Sequence, residues 1–213
     1  MALTRRAFLS LIPFVLAQAA CAKVGQAASS DETEAWSATG ERLDGRHVSM
    51  DTLKTTKGFA VGNLGASRTV YVMFDPQCPH CGRVWGYTKA LWPQARFVWI
   101  PVGLMNDTSI AQGVALLQAG TAEQMDIHES RLASNLGGLA VDPSAHPPLD
   151  LMTEVERNGH VLARFGAERV PFIVSINEKT AKPVVIEGEV HADVLVERFG
   201  WRDTSTASAA SDK

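Results

Sequence analysis

Cys78 and Cys81, two cysteines with two residues between them, are the side chains of this 213-residue sequence whose type and spacing point most directly to chemistry. Once a first turn of helix forms across them, the two sulfurs come within disulfide reach, so the pair can open and close with little backbone movement. Pro79 suits the first helical position, where its missing N–H costs nothing. Cys78 then stands at the helix N-cap, facing unpaired N–H groups and the positive end of the helix dipole, and both favour its thiolate. Cys81, one turn inside, is expected to be the more buried partner. That asymmetry assigns Cys78 as the sulfur that attacks or is attacked, and Cys81 as the one that resolves the mixed disulfide. His80 adds a donor and, when protonated, a positive charge close to Cys78. Pro79 and His80 are therefore the tuning residues, and stabilising the reduced thiolate makes the disulfide a stronger oxidant.

Three other uses of a C-x-x-C pair compete with redox catalysis. A zinc site needs four ligands, and the sequence has no second C-x-x-C and no histidine pair at finger spacing. A purely structural disulfide over so short a loop would remove little entropy from the unfolded chain. A copper carrier would use Cys78, Cys81 and a histidine. Redox catalysis without a metal or a cofactor is the leading reading. Asp75 at a strand end is read as a turn former, with proton acceptance as the alternative. Trp85 and Trp92 are read as core, with a substrate surface as the alternative. His47, His128, His146, His160 and His191 are scattered and expected on the solvated surface, as are Arg83 and Lys89 on a wet helical face.

The elements that must position the pair follow from periodicity. TVYVMF at 69–74 is β-branched and aromatic almost without a break and ends in Asp75-Pro76, which predicts a buried central strand. The helix beginning at the cysteines runs to about Trp92, with Val84, Tyr87 or Thr88, and Leu91 along one side. RFVWIPVGL at 96–104 is a second strand, so strand, helix and strand form a unit with parallel strands and a right-handed crossover. Residues 105–168 turn helical. Ile110, Val114 and Leu117 mark one segment, Met125, Ile127, Leu132 and Leu136 a second, and Leu149, Met152, Val155, Val161, Leu162 and Phe165 a third. Gly137-Gly138 and the stretch 142–148 separate them. Two strands, 172–176 and 183–186, and a helix at 191–199 close the chain, while 48–64 supplies a short leading helix or strand. The predicted fold is α/β, with the order βαβ, a helical insertion at 105–168, then ββα, and the domain is assigned to 61–203.

Composition is that of an ordinary globular protein, 46% hydrophobic and 20% charged with a net charge of −3, which disfavours a nucleic-acid binder. Residues 1–28 carry Arg5, Arg6 and Lys23 but no acidic residue, and an apolar run of 16 residues at 7–22 follows the arginine pair. This predicts a twin-arginine-like export signal, too short for a spanning helix, with lipidation at Cys21 as an option. Without 1–28 the balance is 17 basic against 23 acidic residues, or −6, and two cysteines remain, Cys78 and Cys81. They would sit in a periplasm that oxidises idle thiols. Residues 29–60 are expected as a partly disordered extension and 204–213 as a disordered tail.

The strand, the CPHC motif at a helix start, and Val170-Pro171 before the closing strands resemble a thioredoxin-fold disulfide oxidoreductase. The segment FDPQCPHC at 74–81, followed by Trp85 and a helical insertion of about 60 residues, resembles the catalytic domain of the DsbC/DsbG group over approximately 60–200. The resemblance implies that Pro171 is a cis-proline lying against the cysteines and that Val170 and Pro171 contact substrate. Two departures are visible. Val170 and His80 match the DsbA-type oxidases, where the DsbC/DsbG group carries Thr and Tyr. Residues 29–68 are also too few for that group's dimerisation domain and linker, which implies a monomer.

The function expected is a periplasmic thiol:disulfide oxidoreductase, oxidase-like, that exchanges disulfides with exported cysteine-containing proteins and is recycled by a membrane redox partner. The alternatives are an isomerase or reductase kept reduced by a membrane partner, or a non-catalytic chaperone or metal-carrier module.

Overall fold

The computed structural model describes residues 48–142 and 147–201. The expected export segment with Cys21, the part of the extension up to residue 47 with His47, His146, and the tail at 204–213 lie outside the described residues.

The hydrophobic runs make a five-stranded sheet. Its strands are β1 (Phe59–Gly62), β2 (Thr69–Phe74), β3 (Arg96–Pro101), β4 (Phe172–Ile176) and β5 (Pro183–Glu187), in the order β1-β3-β2-β4-β5. β2 and β3 are parallel, with Thr69 opposite Arg96 and Phe74 opposite Pro101, while the other three pairings are antiparallel. β2 lies in the centre and both of its faces are covered, because successive side chains point to opposite sides of a strand. Val70, Val72 and Phe74 pack with Trp85, Phe97, Trp99 and Phe199 on one face. Tyr71 and Met73 pack with Ile100, Val161, Leu162 and Phe172 on the other. An unbroken apolar run such as TVYVMF is what burial on both faces requires.

The helices are α1 (Met50–Lys54), α2 (Pro79–Thr88), α3 (Asp107–Ala119), α4 (Ala122–Ala133), α5 (Leu149–Arg164) and α6 (Ala192–Arg198), with a 3-10 turn at Lys89–Leu91 continuing α2. The mixed α/β architecture and its βαβ, insertion, ββα order are those read from the sequence.

Several expectations need correction. The segment 48–64 holds both a helix and a strand, α1 and β1, and the domain boundary placed at 61 falls inside β1. Val48, Leu53 and Phe59 are all buried, so the folded body takes in the end of the 29–60 extension. β3 ends at Pro101 and not at Leu104, because the Leu104 and Met105 N–H groups leave the ladder and donate to the Asp75 carboxylate. In the insertion, Ile127, Leu136 and Leu149 are exposed at 43%, 60% and 76%, so they are not core. In α4 the buried positions are Met125 and His128.

Candidate active site

The site forms where the central strand hands over to a helix. β2 stops at Phe74, and Asp75, fully buried, organises the turn that follows. Its carboxylate accepts from the Gln77 N–H (2.8 Å), the Ser109 hydroxyl (2.7 Å), and the N–H groups of Leu104 (2.7 Å) and Met105 (3.0 Å). Four donors on one carboxylate make it the clamp between the turn and the segment leading into α3. The Cys78 N–H donates to the Asp75 carbonyl at 3.0 Å, and the Cys81 N–H donates to the Cys78 carbonyl at 3.0 Å, beginning α2. Cys78 is the N-cap with extended backbone angles, and Pro79 occupies the first turn.

Both cysteines are free thiols and both are buried. Their environments pull in opposite directions. The Cys78 pKa is lowered to about 6, chiefly by a hydrogen bond from the Cys81 thiol. Burial opposes that shift, the backbone N–H groups of Cys81 and His80 add to it, and the charge of His80 contributes least. The charge of His80, the expected tuner, is thus the smallest of these influences on Cys78. The Cys81 pKa is pushed well above 9, first by burial and then by its bond to Cys78 and the Cys78 charge. A thiolate at the helix start and a thiol one turn inside is the arrangement that the position of each sulfur on the helix dictates.

The Val170–Pro171 peptide bond is cis, and the Val170 carbonyl oxygen lies 3.8 Å from the Cys78 sulfur. Val170 is half-buried and Pro171 buried, so the loop before β4 walls one side of the attacking sulfur. Pro79 and His80 are exposed on the other side. His80 Nδ1 is 2.8 Å from Glu189, which also accepts from Arg83 at 2.8 Å. The two cationic or potentially cationic partners hold the Glu189 carboxyl at about 2, the Arg83 hydrogen bond being the larger cause. Arg83, expected merely on a wet face, therefore ties α2 to the β5–α6 loop, and the Tyr87 ring stacks on His191 at 4.1 Å beside it.

The helical insertion reaches the same turn from the opposite side. His128, expected on the surface, is fully buried. Its Nδ1 accepts from the Leu139 N–H (3.1 Å), so Nε2 carries the proton and donates to the Pro76 carbonyl (2.7 Å). Burial is the main reason its pKa is lowered, and the neutral ring matches this pairing. Gln77 donates to Gln112 and to the Gly137 carbonyl, which extends the tie. Next to it on α4, Glu129 faces α2: a Cβ at Gly82 would collide with its carboxylate. Its pKa is raised to about 8 by burial first, then by the charges of Cys78 and Asp126.

Trp85 is buried, with its Nε1 donating to Asp126 at 2.6 Å, while Trp92 packs against its edge with ring centroids 5.1 Å apart. Among the described residues no group of three His, Cys, Asp or Glu is placed to hold a metal ion. The sequence reading names neither Glu129 nor Glu189 and places His128 on the surface. A signal existed for two of them: Met125, Glu129 and Leu132 share one helical stripe, and His128 follows Met125 by three, so charged or polar residues stood at core-facing positions.

No family model matches the chain. It is 30% identical over 146 residues to the thiol:disulfide interchange protein DsbG of Pseudomonas aeruginosa, an alignment covering 67% of this chain and 55% of that protein. The chain thus spans about half the length of the curated relative it matches. Among solved structures, the catalytic domain of Proteus mirabilis ScsC superposes with a TM-score of 0.53 at 15% identity, over 70% of this chain and 91% of that one. The thiol-disulfide exchange protein alpha-DsbA2 of Wolbachia pipientis does so with a TM-score of 0.52 at 14% identity, over 70% and 89%. Sheet order and the structural likenesses give the chain a thioredoxin-like fold with the two sulfurs at its β2–α2 junction, and its sequence is similar to that of a thiol:disulfide interchange protein.

Proposed function

We propose that this protein is a periplasmic thiol:disulfide oxidoreductase that passes the Cys78–Cys81 disulfide to exported cysteine-containing proteins. The observation that carries the reading is the inequality of the sulfurs, one lowered to about 6 and its neighbour raised well above 9. A substrate thiolate attacks Cys78 Sγ, at the N-terminal end of α2, and the Cys78–Cys81 bond breaks. A second substrate thiolate then attacks the substrate sulfur of the mixed disulfide, and Cys78 leaves as a stabilised thiolate. Because Cys78 is the better leaving group, the dithiol form is favoured and the pair acts as an oxidant. Val170 and Pro171, beside Cys78, are the contact for the substrate backbone. A membrane redox partner returns the pair to the disulfide.

Two measurements test this. Thiolate absorbance should place the Cys78 midpoint near 6, and a value near that of free cysteine, about 8.5, would falsify the oxidising role. Trapping of the pair in intact cells should find it mostly oxidised. A mostly reduced pair would instead identify an isomerase or reductase, and undiminished function in Cys78→Ser and Cys81→Ser variants would identify a non-catalytic module.

A further inference from the structure

The exchange just described leaves one proton without a source. When substrate opens the disulfide, the electron pair of the S–S bond goes to Cys81, whose burial makes its thiolate costly. A proton must reach that sulfur as it leaves. Cys78 faces the Val170 carbonyl and helix N–H groups, and the outer cluster of His80, Arg83 and Glu189 is exposed and paired within itself.

The other side of α2 is different. Gly82 follows Cys81 directly, and the Glu129 carboxylate fills the space that a side chain at position 82 would take. Glu129 Oε1 is enclosed and has no hydrogen-bond partner. The two donors in the same groove, Trp85 Nε1 and Lys89 Nζ, both donate to Asp126 instead, at 2.6 Å and 2.5 Å. Glu129 also lines a groove of about 370 Å³ between α2 and α4, partly open to solvent, with Pro79, Gly82, Trp85, Asp126 and Leu132. Glu129 is half-buried, and a carboxyl oxygen enclosed without a donor is costly for a fold to keep unless the group is protonated or used.

Building on the oxidoreductase reading, we propose that Glu129 is the proton-transfer group for Cys81, that Gly82 keeps its approach open, and that the α2–α4 groove exchanges its proton with solvent. As the substrate thiolate bonds to Cys78 Sγ, the Cys78–Cys81 bond breaks and the Glu129 O–H bond breaks with it. The proton goes to Cys81 Sγ, leaving a thiol and a carboxylate, and water in the groove returns a proton to the carboxylate. In the reverse direction the carboxylate takes the Cys81 proton. The charged and titratable groups facing Glu129 are Cys78, Cys81, Arg83 and Lys89 on α2 and Asp126 on its own helix. Burial, the largest of the influences on its carboxyl, persists when Cys78 is in a disulfide and keeps the carboxyl above its ordinary range.

The test is the rate at which the full chain's disulfide is opened by dithiothreitol, followed from pH 5 to 9 and normalised to the attacking thiolate. Glu129→Gln is nearly isosteric and is expected to slow opening at pH 7 by about 10- to 100-fold and to flatten the decline of the normalised rate as the acid ionises. Gly82→Ala keeps the carboxyl in the chain but displaces it, and should reproduce the loss, which keeps the test decisive if Glu129→Gln fails to fold. Normalised profiles that superimpose on the wild type in both variants would overturn the assignment of Glu129 while leaving the oxidoreductase reading intact. A wild-type disulfide that dithiothreitol opens but that passes to no protein thiol would instead sink the oxidoreductase reading itself.

Discussion

Two glutamates flank the cysteine turn from opposite sides, and they are in opposite states. Glu189, on the β5–α6 loop, meets Arg83 and the His80 ring in solvent, and its carboxyl is held down at about 2. Glu129, on α4, is turned under Gly82 with an oxygen that no donor reaches, and its carboxyl rises to about 8. The same side chain thus carries a fixed charge on the outer wall and a transferable proton on the inner one. What separates them is pairing and burial: a carboxylate ionises readily where cations pair with it in solvent, and resists where burial dominates and no donor pairs with its enclosed oxygen. The outer wall orients the motif's exposed residues, while the inner wall faces the sulfur that must change protonation.

Stability separates the two glutamates most sharply. A carboxyl whose folded pKa is raised binds its proton more tightly in the folded state. Its effect is absent below the unfolded value of about 4.3 and weakens the fold as pH rises through the folded value. Glu129→Gln should therefore remove a loss of order a few kcal/mol that develops between about pH 4.3 and 8 in urea unfolding of the reduced protein. A wild-type pH profile unchanged by the substitution would mean that the two glutamates are not in different states.

Next in size is Cys81→Ala. It removes the hydrogen bond that contributes most to the Cys78 shift, so the Cys78 midpoint should climb from about 6 towards the free value, read by thiolate absorbance. An unmoved midpoint would transfer the stabilisation to the backbone donors. His80→Tyr should raise the same midpoint by less than Cys81→Ala does, because the His80 charge is the least of the contributions. An equal or larger rise would restore His80 as the principal tuner.

The smallest effect belongs to Glu189→Gln. A depressed carboxyl contributes stability above the unfolded pKa that is lost as pH falls through the folded one. The wild type should thus lose more stability than the variant between about pH 4.3 and 2. Equal acid sensitivity in the denaturation midpoints of the two proteins would show that the outer ion pair is screened out by solvent, as surface pairs often are.

The difference between the walls also marks where sequence reasoning stopped. β2 was legible because five of its six positions are buried and only an unbroken apolar run satisfies that. The cysteine turn was legible because Pro79 and the C-x-x-C spacing belong to one helix turn, a local matter. β1 was not, since FAVG is four residues long and becomes a strand by pairing with β3, more than thirty positions away. His128 was read as surface because a histidine carries no sign of burial; the carbonyl of Pro76 and the N–H of Leu139, 52 and 11 positions distant, accept it into the core.

From the amino-acid order alone came the α/β class, the central strand, the sulfur pair and which of the two faces the helix end, because each depends on neighbours within a turn or a strand. The tertiary structure decided which charges surround that pair. It brought Glu189 from beyond β5 and Glu129 from the insertion to the two sides of α2, and left one paired in water and the other enclosed against Gly82. Charge state depends on what lies within a few ångströms in space, and for these two carboxyls those neighbours lie dozens of residues away along the chain.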